Sequence, residues 1–169
     1  MLALARRDDK GYRWARLTTR AVPTFAPRRR TPDLAALTSD RRRRLMAAMS
    51  TLELSGPSRP PAAGGPPRQL VVLLHGVGAD GQDLVGLAPY WAQALPHAEF
   101  LAPNGPQHCD MAPFGYQWFS LLDWSPASML AGVRAVAPMI DRFLDTALAE
   151  RGLEDGDLAM VGFSQGAMT

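Results

Sequence analysis

The sequence predicts an α/β fold built on a parallel sheet with flanking helices, and three observations carry that expectation. Leu70, Val71, Val72, Leu73 and Leu74 form an unbroken aliphatic, partly β-branched run, the pattern of a strand buried on both faces of a parallel sheet. Met129, Val133, Val136, Ile140, Leu144 and Leu148 recur at three- and four-residue spacing, which is the apolar stripe of a helix. Residues 157–161 return to an extended apolar pattern. Strand-like and helix-like segments thus alternate, as crossovers between parallel strands require.

Each element has its own local cause. The stretch 56–68 holds five prolines and three glycines, so it belongs to neither a helix nor a central strand; Thr51 to Leu54 just before it could form a short edge strand. The strand 70–74 ends in His75-Gly76-Val77-Gly78-Ala79-Asp80-Gly81. After this glycine-rich turn, Asp83 can cap a helix carrying Leu84, Leu87, Trp91 and Leu95 on one face, with Asp80 as a turn residue. Pro89 interrupts that helix or opens a second one after a short first turn. Phe100 to Ala102 reads as the end of another strand, closed by Pro103-Asn104-Gly105-Pro106, and a long loop runs on to Trp124. Ser125 and Pro126 make a cap and first helical position, Gly152 a stop, and Pro138 lies inside this longest helix.

The chain has 169 residues, 47% of them hydrophobic and 20% charged, which fits one globular domain with a loop-rich portion. A single cysteine, Cys109, forms no internal disulfide and offers no thiol cluster for zinc, so the fold rests on its apolar core in a reducing, cytoplasmic compartment. No apolar run approaches the roughly 20 residues of a membrane-spanning helix. Arg6, Arg7, Asp8, Asp9 and Lys10 interrupt what a secretory signal would need at the N-terminus.

Net charge divides the chain. Residues 1–48 hold 13 basic and 4 acidic side chains, a net of +9, and residues 49–169 hold 5 basic and 12 acidic, a net of −7. The first segment, with Arg28 to Arg30 and Arg41 to Arg44, lacks a sustained apolar period and reads as a disordered extension. Three accounts fit it: a start placed upstream of an ordinary one at Met46 or Met49, an organellar presequence, or a basic arm for nucleic acid. Tyr12 and Trp14 are thin aromatic support for the last, and nucleic acid is not the expected partner.

The chemistry concentrates at two turns. Gly162-x-Ser164-x-Gly166 follows an apolar strand and sits at a helix start, the context of a nucleophile elbow that lifts a serine hydroxyl above the sheet; its plain alternative is an ordinary strand-to-helix turn. A serine hydrolase also needs backbone N–H groups to hold the tetrahedral oxyanion. Gln165, directly after the serine, supplies one. Val77, between Gly76 and Gly78, is chosen for the other.

Together, the His75 to Gly81 turn, the Trp118-Phe119 pair and Gly162-Phe163-Ser164-Gln165-Gly166 resemble the phospholipase/carboxylesterase family of α/β hydrolases, which includes the acyl-protein thioesterases. The similarity covers residues 69–169. It implies that Ser164 is the nucleophile, that Val77 and Gln165 form the oxyanion hole, and that Trp118 and Phe119 border an acyl pocket for a small ester or thioester substrate, with neither metal nor other cofactor. In that family the triad's acid and histidine follow the serine, whereas Thr169 lies five residues after Ser164. The expectation is therefore an α/β-hydrolase-like sheet truncated after the nucleophile elbow, inactive by itself, with the strand 157–161 left as an exposed apolar edge. The competing reading is a non-catalytic fragment whose basic arm binds nucleic acid or an acidic surface. His75 reads as a structural hydrogen-bonding residue, His97 as a surface residue, and His108 with Cys109 and Asp110 lacks the spacing of a zinc site.

Overall fold

The computed structural model describes residues 2–8, 11–16 and 53–169. Among these, eight strands form two sheets. The first two, β1 (Leu2–Asp8) and β2 (Gly11–Arg16), are followed by β3 (Ser58–Arg59), β4 (Gln69–Leu74) and the short helices α1 (Gly81–Val85) and α2 (Ala88–Ala92). Then come β5 (Ala98–Leu101), β6 (Gln107–His108), β7 (Tyr116–Gln117), α3 (Pro126–Arg151) and β8 (Leu158–Phe163), which runs into a 3₁₀ turn over Ser164–Ala167.

The main sheet has the order β2-β1-β8-β4-β5-β3. Its centre is parallel: β4 pairs with β5 on one side and with β8 on the other. The alternation of side chains along β4 divides the interior into two cores. Leu70, Val72 and Leu74 join Leu158 and Met160 under the α3 residues Val136, Ile140, Leu144 and Leu148. Val71 and Leu73 face the opposite way, onto Phe100, Val161, Leu84, Val85 and Ala88. That two-sided burial is why the run 70–74 is apolar at every position rather than at alternate ones.

The helices follow their local signals. Ser125 accepts a hydrogen bond from the Ser128 N–H at the start of α3, and Gly152 ends it. The helix continues through Pro138. At its C-terminus, the Arg151 guanidinium grips the Glu99 carboxylate of β5 through two hydrogen bonds, of 2.7 and 2.8 Å. Glu99 raises the Arg151 pKa above its ordinary range, and this ion pair ties the crossover helix to the sheet. The first helical segment differs from the sequence reading: Asp80, not Asp83, is the N-cap, and the two form a reciprocal capping box. Pro89 lies in the first turn of α2, so the helix breaks in two.

Two further expectations are corrected at the sheet edges. The strand ending at Phe163 does not present a bare edge, because β1 pairs antiparallel with it from Leu2 opposite Phe163 to Ala5 opposite Met160. Nor are residues 2–8 and 11–16 unstructured: β1 and β2 pair antiparallel, and Ala5 is fully buried in the α3-side core. An unpaired ladder of N–H and C=O groups beside a buried strand favours such an addition. The reading of residues 17–48 as disordered, the domain boundary at residue 48 and the candidate starts Met46 and Met49 lie outside the described residues. Glu53 and Leu54 are not in a strand; the edge strand is Ser58–Arg59, antiparallel to β5. Among the described residues, no helix is long and apolar enough to cross a membrane.

Candidate active site

Chain order along the sheet reverses at β4. The crossover through α1 and α2 places β5 on one side of it, and the crossover through α3 places β8 on the other. In open α/β sheets the crevice outside the carboxyl ends of the strands at such a reversal is where ligands bind. The carboxyl end of β4 delivers His75-Gly76-Val77, and that of β8 delivers Ser164.

Ser164 has a φ of 52°, and among the described residues it is the only non-glycine at positive φ. A serine in that region stores strain of roughly 1–3 kcal/mol, which its surroundings must impose. They do so through contact. A methyl group at Gly162 would fall 2.6 Å from the Ala167 Cα, and one at Gly166 would fall 2.5 Å from the Leu74 carbonyl carbon and 2.7 Å from the His75 oxygen. Only glycines let the turn fold back against its own strand and against β4. The Ser164 side chain is left exposed while Gln165 and Gly166 are buried. A methyl group at Gly76 would lie 3.2 Å from the Ser164 Cβ, so the glycine-rich loop runs directly beside the serine.

The Gln165 side chain is a clamp that sequence reasoning did not anticipate. Its Oε1 accepts from the Trp118 N–H at 3.0 Å, and its Nε2 donates to the Phe119 carbonyl at 2.8 Å. The amide is 1% exposed, with one donor and one acceptor matched to the backbone of the long loop. No pattern in the sequence marks this contact, because it joins residues more than forty positions apart. Gln165→Ala should destabilise the fold by about 2 kcal/mol, since it strands two buried backbone groups; chemical denaturation with an unchanged m-value would measure this.

Trp118 and Phe119 are also more buried than a pocket border suggests, at 1% and 4% exposure. The Trp118 indole N–H donates to the His75 carbonyl at 2.8 Å, and Phe119 lies against Gly132 of α3. Val77 packs on the core that contains both rings. They support the floor beneath the glycine-rich loop. Further along, Gln117 is fully buried; its amide donates to Asp110 and Gln107 and accepts from the Asp110 N–H. This pins the loop, and the Gln117 hydrogen bond lowers the Asp110 pKa.

His75 is fully buried beneath the glycine-rich loop. Its Nε2 accepts from the Gly105 N–H at 2.8 Å, and its Nδ1 lies 2.7 Å from the Gly76 carbonyl. A backbone N–H can only donate and a carbonyl can only accept, so the ring is neutral with its proton on Nδ1. Burial lowers its pKa, opposed by the Gly76 bond and the negative charges of Asp80 and Asp83. The unfolded ring takes up a proton below its ordinary value near 6.5, while the folded ring does so only at lower pH. The contribution of His75 to stability is thus complete above about 6.5 and is lost as pH falls through the folded value. Thermal unfolding from about pH 7.5 down to about pH 5 should show a shallower decline in Tm for His75→Asn than for the parent.

A cleft of about 310 Å³ lies between residues 53–58 and α3, lined in part by Leu54, Met139, Arg142 and Phe143, and Ser164 is not among its walls. Among the described residues, no three His, Cys, Asp or Glu side chains are grouped to hold a metal ion.

With this geometry in view, comparison with known proteins is decisive for the family. Residues 61–169 match the Phospholipase/Carboxylesterase family model. The chain belongs to that family. Proteins similar to it in sequence include acyl-protein thioesterase 1 of Saccharomyces cerevisiae, 31% identical over 116 residues, covering 60% of this chain and 49% of the yeast protein. Esterase YpfH of Escherichia coli is 29% identical over 103 residues, covering 61% of this chain and 44% of the bacterial protein. Among solved structures, that of esterase PE8 superposes with a TM-score of 0.64 at 44% identity, covering 68% of this chain and 54% of its own. The fold is α/β-hydrolase-like, and the chain spans about half the length of the curated relatives it matches.

Proposed function

We propose that this chain carries the nucleophile half of a serine carboxylesterase or thioesterase site. The observation that carries the reading is Ser164 held at a φ of 52° beside the Gly76 loop, at the carboxyl ends of two adjacent parallel strands. In the reaction, the Ser164 Oγ bonds to the acyl carbon and the carbonyl π electrons move to oxygen, where the N–H groups of Val77 and Gln165 hold the negative charge. Collapse breaks the ester C–O or thioester C–S bond. The leaving group departs with a proton, and water then hydrolyses the acyl-serine.

The reaction also requires a base that takes the Ser164 proton and an acid that orients it. His75 is unsuited to the role, because its two nitrogens are committed to Gly105 and Gly76. The side chains of Trp118 and Phe119 are proposed to border the acyl pocket from below, through the Val77 side chain that rests on their core. A small ester or thioester is the proposed substrate, and binding needs no metal. The Arg28 to Arg30 and Arg41 to Arg44 clusters on which the nucleic-acid alternative depends lie outside the described residues.

A fluorophosphonate ester tests this reading on the protein isolated from its own source. Peptide mapping should place the label on Ser164, with p-nitrophenyl esters and acyl thioesters turned over before treatment and not after. Labelling at another residue with loss of turnover would remove Ser164 from the mechanism.

A further inference from the structure

We propose that His75 is a positioning residue for the oxyanion hole, acting through the single peptide unit that joins Gly76 to Val77. The inference rests on the reading of Ser164 as nucleophile and deepens it. The Gly76 carbonyl and the Val77 N–H belong to one trans peptide, so they point in opposite directions, and fixing one fixes the other. The His75 Nδ1–H holds that carbonyl at 2.7 Å, and the Ala79 N–H reaches it more loosely at 3.2 Å. The Val77 N–H donates to no backbone carbonyl among the described residues, and as the opposite end of that peptide it is directed away from the His75 ring, on the loop that lies beside Ser164.

The imidazole is itself held by hydrogen bonds at both nitrogens and by two aromatic neighbours. Gly105 donates to Nε2, the Trp118 ring packs at a centroid distance of 5.2 Å, and the Tyr116 ring meets it edge-on at 6.5 Å. Asp80 and Asp83 of the α1 capping box are the charged groups that act on it. The ring is thus a rigid strut between the Asn104-Gly105 turn and the Gly76–Val77 peptide. Its Nε2 side fastens the ring, and its Nδ1 side aims the amide.

Two substitutions separate these sides. In His75→Asn, the amide nitrogen takes the place of Nδ1 and keeps the donor to Gly76. In His75→Gln, the longer amide reaches the place of Nε2 and keeps the partner of Gly105, while the Gly76 carbonyl loses its donor. Introduced into the protein as its own cell makes it and assayed on a p-nitrophenyl ester, His75→Gln should lose about 10- to 100-fold in kcat with KM nearly unchanged, part of the loss caused by deleting an oxyanion donor. His75→Asn should restore kcat to within about threefold of the parent, even where its Tm is lower.

Equal losses in both variants, or an undiminished kcat in His75→Gln, would overturn the proposal. ¹⁵N NMR of the unsubstituted ring gives a reading independent of whether the variants fold: protonated Nδ1 with bare Nε2 is expected, and the opposite tautomer would also overturn it. A Ser164→Ala control distinguishes the two levels. If it hydrolyses as fast as the parent, the nucleophile assignment fails along with the His75 role. If it is inactive while His75→Gln keeps its kcat, only the His75 role fails.

Discussion

Replacing Ser164 with alanine should reduce ester hydrolysis on the order of a million-fold while leaving the fold intact. In the proposed mechanism the effect is large because the serine oxygen is the atom that bonds to the acyl carbon. Residual catalysis would come from the Val77 and Gln165 amides and from binding, as in serine hydrolases that retain their oxyanion hole after losing the nucleophile. Thermal stability should not fall. Ser164 is exposed, and the φ of 52° is imposed on whichever side chain stands at position 164 by the glycines on either side of it. Parallel measurement of kcat/KM and Tm checks both halves of the expectation.

The second large effect belongs to Gly166. A Cβ there meets the backbone of Leu74 and His75 at 2.5 to 2.7 Å, and these atoms belong to the central strand and the loop it feeds, so they cannot swing aside as a side-chain tip would. Gly166→Val should therefore destabilise the protein by about 3 kcal/mol or more, seen as a lower denaturation midpoint. Activity should fall further than the unfolded fraction explains, because the same clash pushes Ser164 and the Gln165 amide away from the glycine-rich loop. A substitution at Gly156, where a methyl group would meet nothing within 4 Å, is the matched control and should change stability by less than about 0.5 kcal/mol.

The parts of this architecture that local chemistry controls were legible in the sequence. The run 70–74 announced a two-sided buried strand because every position faces one core or the other. Ser125, Pro126 and Gly152 marked the ends of the longest helix through capping. Gly162 and Gly166 flanked the serine because only glycine tolerates the close approach of Leu74 and Ala167. What stayed hidden depends on partners remote in sequence. The first strand gives no clear period of its own and becomes a strand by pairing with the edge of the last. The side chain of Gln165 finds the backbone of Trp118 and Phe119 across 47 and 46 positions, and His75 meets Gly105 across 30. The N-cap was misplaced by three residues because Asp80 and Asp83 are both good caps, and the reciprocal box uses both.

The central claim is that a covalent acyl intermediate forms on Ser164, and rapid quenching of the reaction with a slowly hydrolysed p-nitrophenyl ester tests it most directly. Mass spectrometry of the peptides should find one acyl group per protein, on the peptide containing Gly162 to Gly166, appearing with the burst of p-nitrophenol and decaying as turnover proceeds. A burst with the acyl group on another residue, or steady turnover with unmodified Ser164 throughout, would contradict it.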